Sequence, residues 1–191
     1  MTIHLKLPQK EKVDTYIPTD AEVEKILEAV KGSPYEIAIW LAVCGMRKSE
    51  IIAITSEDLN GNMLTISKAK VINDKHEYVE KTTKTTSSTR TIWIPDYVAD
   101  LLRRKGFAYE GFPGNILRDL HRVQDRLGIN RCKLHALRHY YVSHAHSCGV
   151  PDAYIAEAVG HASINTTRNI YLQAQQDKSI EMQKKAMSSL F

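Results

Sequence analysis

Four side chains between Leu134 and Tyr171 are of the types that phosphoryl chemistry without a metal would use. His135 and Arg138 stand three residues apart, His161 follows Gly160, and Tyr171 comes ten residues later. A guanidinium presents a planar fork that fits phosphate oxygens two at a time. A phenol, with a pKa of about 10, attacks phosphorus only when a base or a field of cations activates it. Arg47 adds a second guanidinium from the first half of the chain. It follows Gly45, where the chain must turn, and Glu50 lies three residues on, within reach as a partner. Arg47 and Arg138 could therefore flank one phosphate and neutralise a five-coordinate transition state. Lys84, in the run TTKTTSSTRT, could donate a proton to a leaving oxygen once desolvation or neighbouring cations lower its pKa. Lys81 competes for that role.

Each of these residues also has a structural reading. His135 could be a partly buried helix histidine, Arg138 a surface cation, Arg47 and Glu50 an ordinary pair at a helix start, and Tyr171 a packed tyrosine. The lysines could merely touch backbone phosphates. A metal is not expected. His135, His139, His144 and His146 share one helix, but no HExxH motif and no Cys or carboxylate cluster stands at ligand spacing.

The elements that must position these groups are read from hydrophobic spacing. A capping box, Thr19 with Glu22, precedes Val23, Ile26, Leu27 and Val30 at helical spacing and predicts a helix that Gly32 ends. Ser33 and Glu36, with Pro34 between them, predict a second capping box and a helix with Ile37, Trp40, Leu41 and Cys44 as its core stripe. A short helix follows from Arg47 through Ile54. The period then changes. Asn60-Gly61 signals a turn, and residues 63–67, 76–82 and 90–94 read as three strands of one small antiparallel sheet. Further helices are predicted over 96–105, 115–127, 134–148, 151–159 and 163–174, with a polar tail helix over 176–188. On the helix from Leu134 the buried stripe is Leu134, Leu137, Tyr141, Ala145 and Cys148, which puts His135 and Arg138 at its edge. The fold class is α+β: a mostly helical single domain with a small three-stranded antiparallel sheet. Residues 1–18 read as a linker or extended arm, 19–175 as the functional domain and 176–191 as the tail.

Composition sets outer limits. A chain of 191 residues that is 43% hydrophobic can bury one real core. A net charge of +4 suits a nucleic-acid partner and is equally an ordinary solubility charge. Cys44, Cys132 and Cys148 are odd in number and form no CxxC pair, which argues against a disulfide framework and points to a reducing, cytoplasmic setting. No apolar run reaches the length of a membrane span, and no signal peptide opens the chain, so no membrane partner is expected.

Taken in order, CGMRKSEIIAI, TKTTSSTRTIWIP, LHALRHYYVSHAHSCGVP and VGHASINTTRNIYL resemble the catalytic domain of the tyrosine recombinases, or phage integrase family, over roughly residues 19–173. A GxRxxE box, a basic hairpin, HALRH, a GHxS corner and a TxxxY step carry the resemblance. It implies that Arg47 and Arg138 clamp the scissile phosphate, that Lys84 protonates the departing 5′ oxygen, and that His135 assists proton transfer. It further implies that His161 hydrogen-bonds the phosphate, that Glu50 orients the Arg47 loop, and that Tyr171 attacks to give a 3′-phosphotyrosine. No cofactor and no metal are implied, because transesterification conserves the phosphodiester's energy. The implied partners are double-stranded DNA, further copies in a synaptic homotetramer (a monomer in isolation), and a directionality factor or host DNA-bending protein. The tail would be exchanged between protomers, and the protein would be cytoplasmic and associated with the nucleoid. Two departures stand out: Tyr140 follows the histidine of LRH, and nothing before Thr19 is long enough for a core-binding domain, which gives the expectation of a catalytic fragment. A non-catalytic DNA-binding module and a type IB topoisomerase-like enzyme are the open alternatives.

Overall fold

Helix α1 (Asp20–Ala29) starts at the expected capping box: the Glu22 amide donates to Thr19 Oγ1, and the Thr19 amide donates to Glu22 Oε2. It opens a computed structural model that describes residues 16–74, 77–82 and 89–174. Helix α2 (Glu36–Val43) is apolar nearly all round, as a core helix should be. Ile37, Ile39 and Leu41 are fully enclosed, and the helix packs on α1, α4 (Asp96–Lys105), α5 (Gly114–Leu127) and α6 (Leu134–Ser147). The second capping box does not form. Backbone bonds from Ser33 to the Val30 carbonyl and from Glu36 to the Ser33 carbonyl fold residues 30–36 into tight turns, and Tyr35 precedes the helix without a side-chain cap. The buried Glu36 carboxylate instead accepts from the Gly32 amide at 2.9 Å and the Tyr97 hydroxyl at 2.5 Å.

After the short helix α3 (Lys48–Ile51) the chain enters its strands. A small three-stranded antiparallel sheet is present, with membership different from that expected. It runs β1 (Leu59–Asn60), β2 (Met63–Ile66), β5 (Arg90–Trp93), with Leu64 opposite Ile92 and Ile66 opposite Arg90. Both edges of β2 are thereby occupied. The strand β4 (Tyr78–Thr82) therefore pairs elsewhere, with β3 (Lys68–Ile72), as a separate two-stranded ribbon. Strand β3 escapes the reading by alternation because none of its residues is buried, so it carries no inside face to recognise.

One large apolar cluster extends from Val23 to Leu137, and a smaller one joins Val142 and Ala145 of α6 to Ile155 and Val159 of α7 (Asp152–Val159) and Ile170 of α8 (Ile164–Ala174). Helix α6 serves both. Its stripe departs from expectation at two positions: Tyr141 is half-buried and Cys148 is exposed. Among the described residues no helix is long and apolar enough to cross a membrane. The predicted tail helix, the arm up to residue 15 and Lys84 lie outside the described residues.

Candidate functional site

The site begins with a close approach. Gly45, just after α2, has φ of +88°, and a Cβ there would come within 2.9 Å of the Tyr141 ring and 3.0 Å of Val159. Glycine alone meets both demands. Its carbonyl accepts a 2.6 Å hydrogen bond from Arg138 Nη1. Arg138 is 0% exposed, so it is no surface cation, and among the described residues its Nε and Nη2 have no partner. Buried donors left unpaired are costly, which makes this pocket one that favours an incoming acceptor. Burial, followed by the charge of Arg47, pushes the guanidinium down to about 9, with Glu50 opposing. It remains charged at neutral pH. A stripe read from one helix cannot reveal that the end of α2 roofs the stripe's edge.

Arg47 stands at the N-terminus of α3, and Glu50 closes a reciprocal arrangement with it. The Arg47 amide donates to Glu50 Oε2 at 2.8 Å and Arg47 Nη1 to Oε1 at 2.9 Å. Arg47 Nη2 donates to the Gly160 carbonyl at 2.7 Å. Although anchored, its side chain keeps 40% of its exposure to solvent. Glu50 is buried, and that burial raises its carboxyl. The hydrogen bonds and charge of Arg90, and then the bonds from Arg47, outweigh it and hold the group below the usual carboxylate range. Arg90 was not among the expected site residues. A signal existed: Ile92 on β5 and Ile94 just after it are inward, and period-two alternation puts Arg90 inward with them.

Helix α7 ends at Gly160, which has φ of +68°. The Gly160 amide donates to Glu157 and the His161 amide to Ala156, a Schellman closure that leaves later carbonyls for other donors. His161 follows this corner. Its Nδ1 shares a 2.9 Å hydrogen bond with the hydroxyl of buried Thr167, so Nε2 is the ring nitrogen that remains for a ligand. Burial, then Arg138 and Arg47, push His161 down to about 4. His135 lies exposed at the rim, its ring edge-on to His139 with centroids 4.8 Å apart. Partial burial of the ring, then Arg138 and Arg47, lower His135. Burial, then His135, pushes His139 down to about 4. All three histidines are thus held toward their neutral form near pH 7. His139 and Thr167 join Arg90 as participants that spacing alone did not single out.

Ser163 precedes helix α8, and its hydroxyl accepts from the Asn165 amide at 3.3 Å. Tyr171 is half-buried on it, and its ring stacks on His146 of α6 with centroids 3.4 Å apart and planes inclined by 19°. His146 Nε2 is 3.3 Å from Asp152 Oδ1, and Arg168 Nε is 3.5 Å from Asp152 Oδ2. The structure therefore brings Arg47, Glu50, His135, Arg138 and His161 into one electrostatic group and sets Tyr171 against the later turns of α6. Lys81 is exposed on β4, opposite Ala69. Among the described residues no three His, Cys, Asp or Glu side chains gather as metal ligands would.

This geometry can hold one tetrahedral anion between a buried and a half-exposed guanidinium, beside neutral imidazoles. The family model described as the phage integrase family matches residues 18–178. A tyrosine recombinase XerC-like protein of Caldanaerobacter subterraneus subsp. tengcongensis is 27% identical over 202 aligned positions, which take in 85% of this chain and 52% of that protein. The chain thus spans about half the length of this curated relative. Among solved structures, the Tn1549 transposon integrase in complex with transposon right end DNA superposes with a TM-score of 0.71 at 20% identity, over 94% of this chain and 68% of that one. The catalytic domain of bacteriophage HP1 integrase gives 0.62 at 20% identity, over 86% and 92%. At such identities the structural likeness establishes the fold.

Proposed function

Because this chain belongs to the phage integrase family, we propose that it cuts and rejoins DNA in site-specific recombination through a 3′-phosphotyrosine. The observation that supports this most is Arg138: a fully buried guanidinium with two donor nitrogens that have no partner among the described residues, beside the half-exposed Arg47. A scissile phosphate would supply the missing acceptors. The Tyr171 oxygen attacks phosphorus and the bond from phosphorus to O5′ breaks. The phenolic proton passes to His135, and Lys84, or Lys81, gives a proton to the departing O5′. His161 hydrogen-bonds a phosphate oxygen through Nε2, and Glu50 keeps Arg47 in place. One phosphoester replaces another of similar energy, so the 5′-hydroxyl of a partner strand can reverse the step and complete the exchange.

The same reading includes residues 19–175 as the catalytic domain, double-stranded DNA as substrate and a homotetramer in the synaptic complex. It also takes in the tail beyond residue 175 as an exchanged element, and a directionality or DNA-bending factor as accessory partner. The test is covalent capture. The protein is incubated with a pool of nicked duplexes randomised around the nick and run on a denaturing gel. A slow-migrating adduct that Tyr171→Phe abolishes is the expected result. DNA binding with no adduct from any duplex would replace the proposal with a non-catalytic binding module, and relaxation of supercoiled plasmid without strand exchange would indicate a topoisomerase. Lys84→Ala and Lys81→Ala, compared on a 5′-phosphorothiolate duplex whose leaving group needs no acid, identify the proton donor.

A further inference from the structure

Arg90 opens β5 with its side chain turned inward, and each of its three nitrogens is engaged by the protein. Nε donates to the Ala158 carbonyl at 2.7 Å, Nη1 to Glu50 Oε1 at 3.0 Å and Nη2 to Glu50 Oε2 at 2.8 Å. Arg90 therefore differs from Arg138, which keeps donors for a ligand. We propose that Arg90 is a positioning residue for strand cleavage, setting both Arg47 and the His161 corner against the scissile phosphate from one buried guanidinium. This rests on the recombinase reading above.

Two paths lead from Arg90 to the phosphate. The first runs through Glu50, whose two oxygens accept from Arg90 and also from the amide and Nη1 of Arg47. Rotation of the Glu50 carboxylate would carry Arg47 with it. The second runs through the C-terminal end of α7, where the last carbonyls lack intrahelical donors and carry the negative end of the helix dipole. Ala158 there accepts from Arg90, and Gly160 accepts from Arg47 Nη2 at 2.7 Å. A Cβ on Gly160 would lie 3.0 Å from Arg90 Nη1 and 3.3 Å from its Cζ, so the guanidinium packs directly on the corner that leads into His161. A lysine supplies the charge but lacks the planar fork that makes these bonds together.

The experiment separates positioning from mere folding by varying the charge on the phosphate. A duplex recovered by covalent capture is made with a phosphodiester, or with an uncharged methylphosphonate, at the scissile position. The parent protein is compared with Arg90→Lys and with the double variant Arg90→Met/Glu50→Gln, which removes both charges of that buried pair together. Circular dichroism melting verifies that each is folded. On the phosphodiester, both variants should form adduct about 100-fold more slowly than the parent, the loss expected of a small misplacement of a reacting group. On the methylphosphonate, where Arg47 has less charge to meet, that ratio should shrink at least tenfold. A parent-like rate on the phosphodiester, or an equal loss on both substrates, would overturn the role assigned to Arg90. Absence of any adduct with the parent protein would instead overturn the recombinase reading, and the Arg90 role with it.

Discussion

Arg138 and Arg47 carry the same charge in opposite settings. Arg138 is sealed under Gly45 with donors that have no partner among the described residues, whereas Arg47 is tied to Glu50 and Gly160 and still meets solvent. Replacing Arg138 by Met removes a buried and only partly satisfied charge, so the melting temperature should stay level or rise. Adduct formation should fall by about 10²–10³-fold, the usual loss when a group stabilising transition-state charge is removed. Stopped-time capture gels and thermal melts check the two halves. The histidines give a second prediction. His161 sits at about 4 in the folded protein against 6.5 when unperturbed, so between those values the unfolded chain binds the extra proton. Stability should therefore fall as pH drops from about 6.5 toward about 4 and change little above that window. Denaturant melts across the range should show a weaker pH dependence in His161→Gln. At this scale the Arg47 and Glu50 pair was legible, because a spacing of three at a helix start forces the two side chains together. The burial of Arg138 was not, since it depends on a contact 93 residues away in sequence.

Helix α7 matters less for its length than for how it ends. Its left-handed Gly160 frees the carbonyls that Arg47 and Arg90 take up, and it aims the chain at His161. Gly128, which ends α5 with φ of +66°, offers a matched control because a Cβ there would meet nothing within 4 Å. Gly160→Ala and Gly128→Ala should each lose about 1–2 kcal/mol of stability, the cost of a left-handed residue with a Cβ. Only Gly160→Ala should also slow adduct formation, because only there does the methyl press on Arg90. Urea denaturation with capture kinetics on both variants measures the difference. The helices were legible where apolar spacing and glycine stops agree, as in α4, α5 and α7, which end at left-handed Gly106, Gly128 and Gly160. The strands were less so: β3 has no buried face, and the partners of β2 and β4 are settled by which edges are free, a property of the sheet and of no single strand.

Across the molecule, the site lies where α6 passes from the large apolar cluster to the small one that carries Tyr171's helix. The arginine pair and the tyrosine are thus mounted on neighbouring packed units, joined by α6 and by the turn through His161. For the proposed DNA substrate, the modest net charge of +4 predicts weak binding. Its affinity for non-specific duplex should lie around 10⁻⁴–10⁻⁶ M near physiological salt and fall linearly with log salt, as counterion release requires. Fluorescence anisotropy across a salt series reads both. The most direct measurement is mass spectrometry of the captured adduct after protease and nuclease digestion. A nucleotide joined through its 3′-phosphate to Tyr171, with a free 5′-hydroxyl on the released strand, is the predicted result. A phosphoryl group on any other residue, or linkage through a 5′-phosphate, would contradict it.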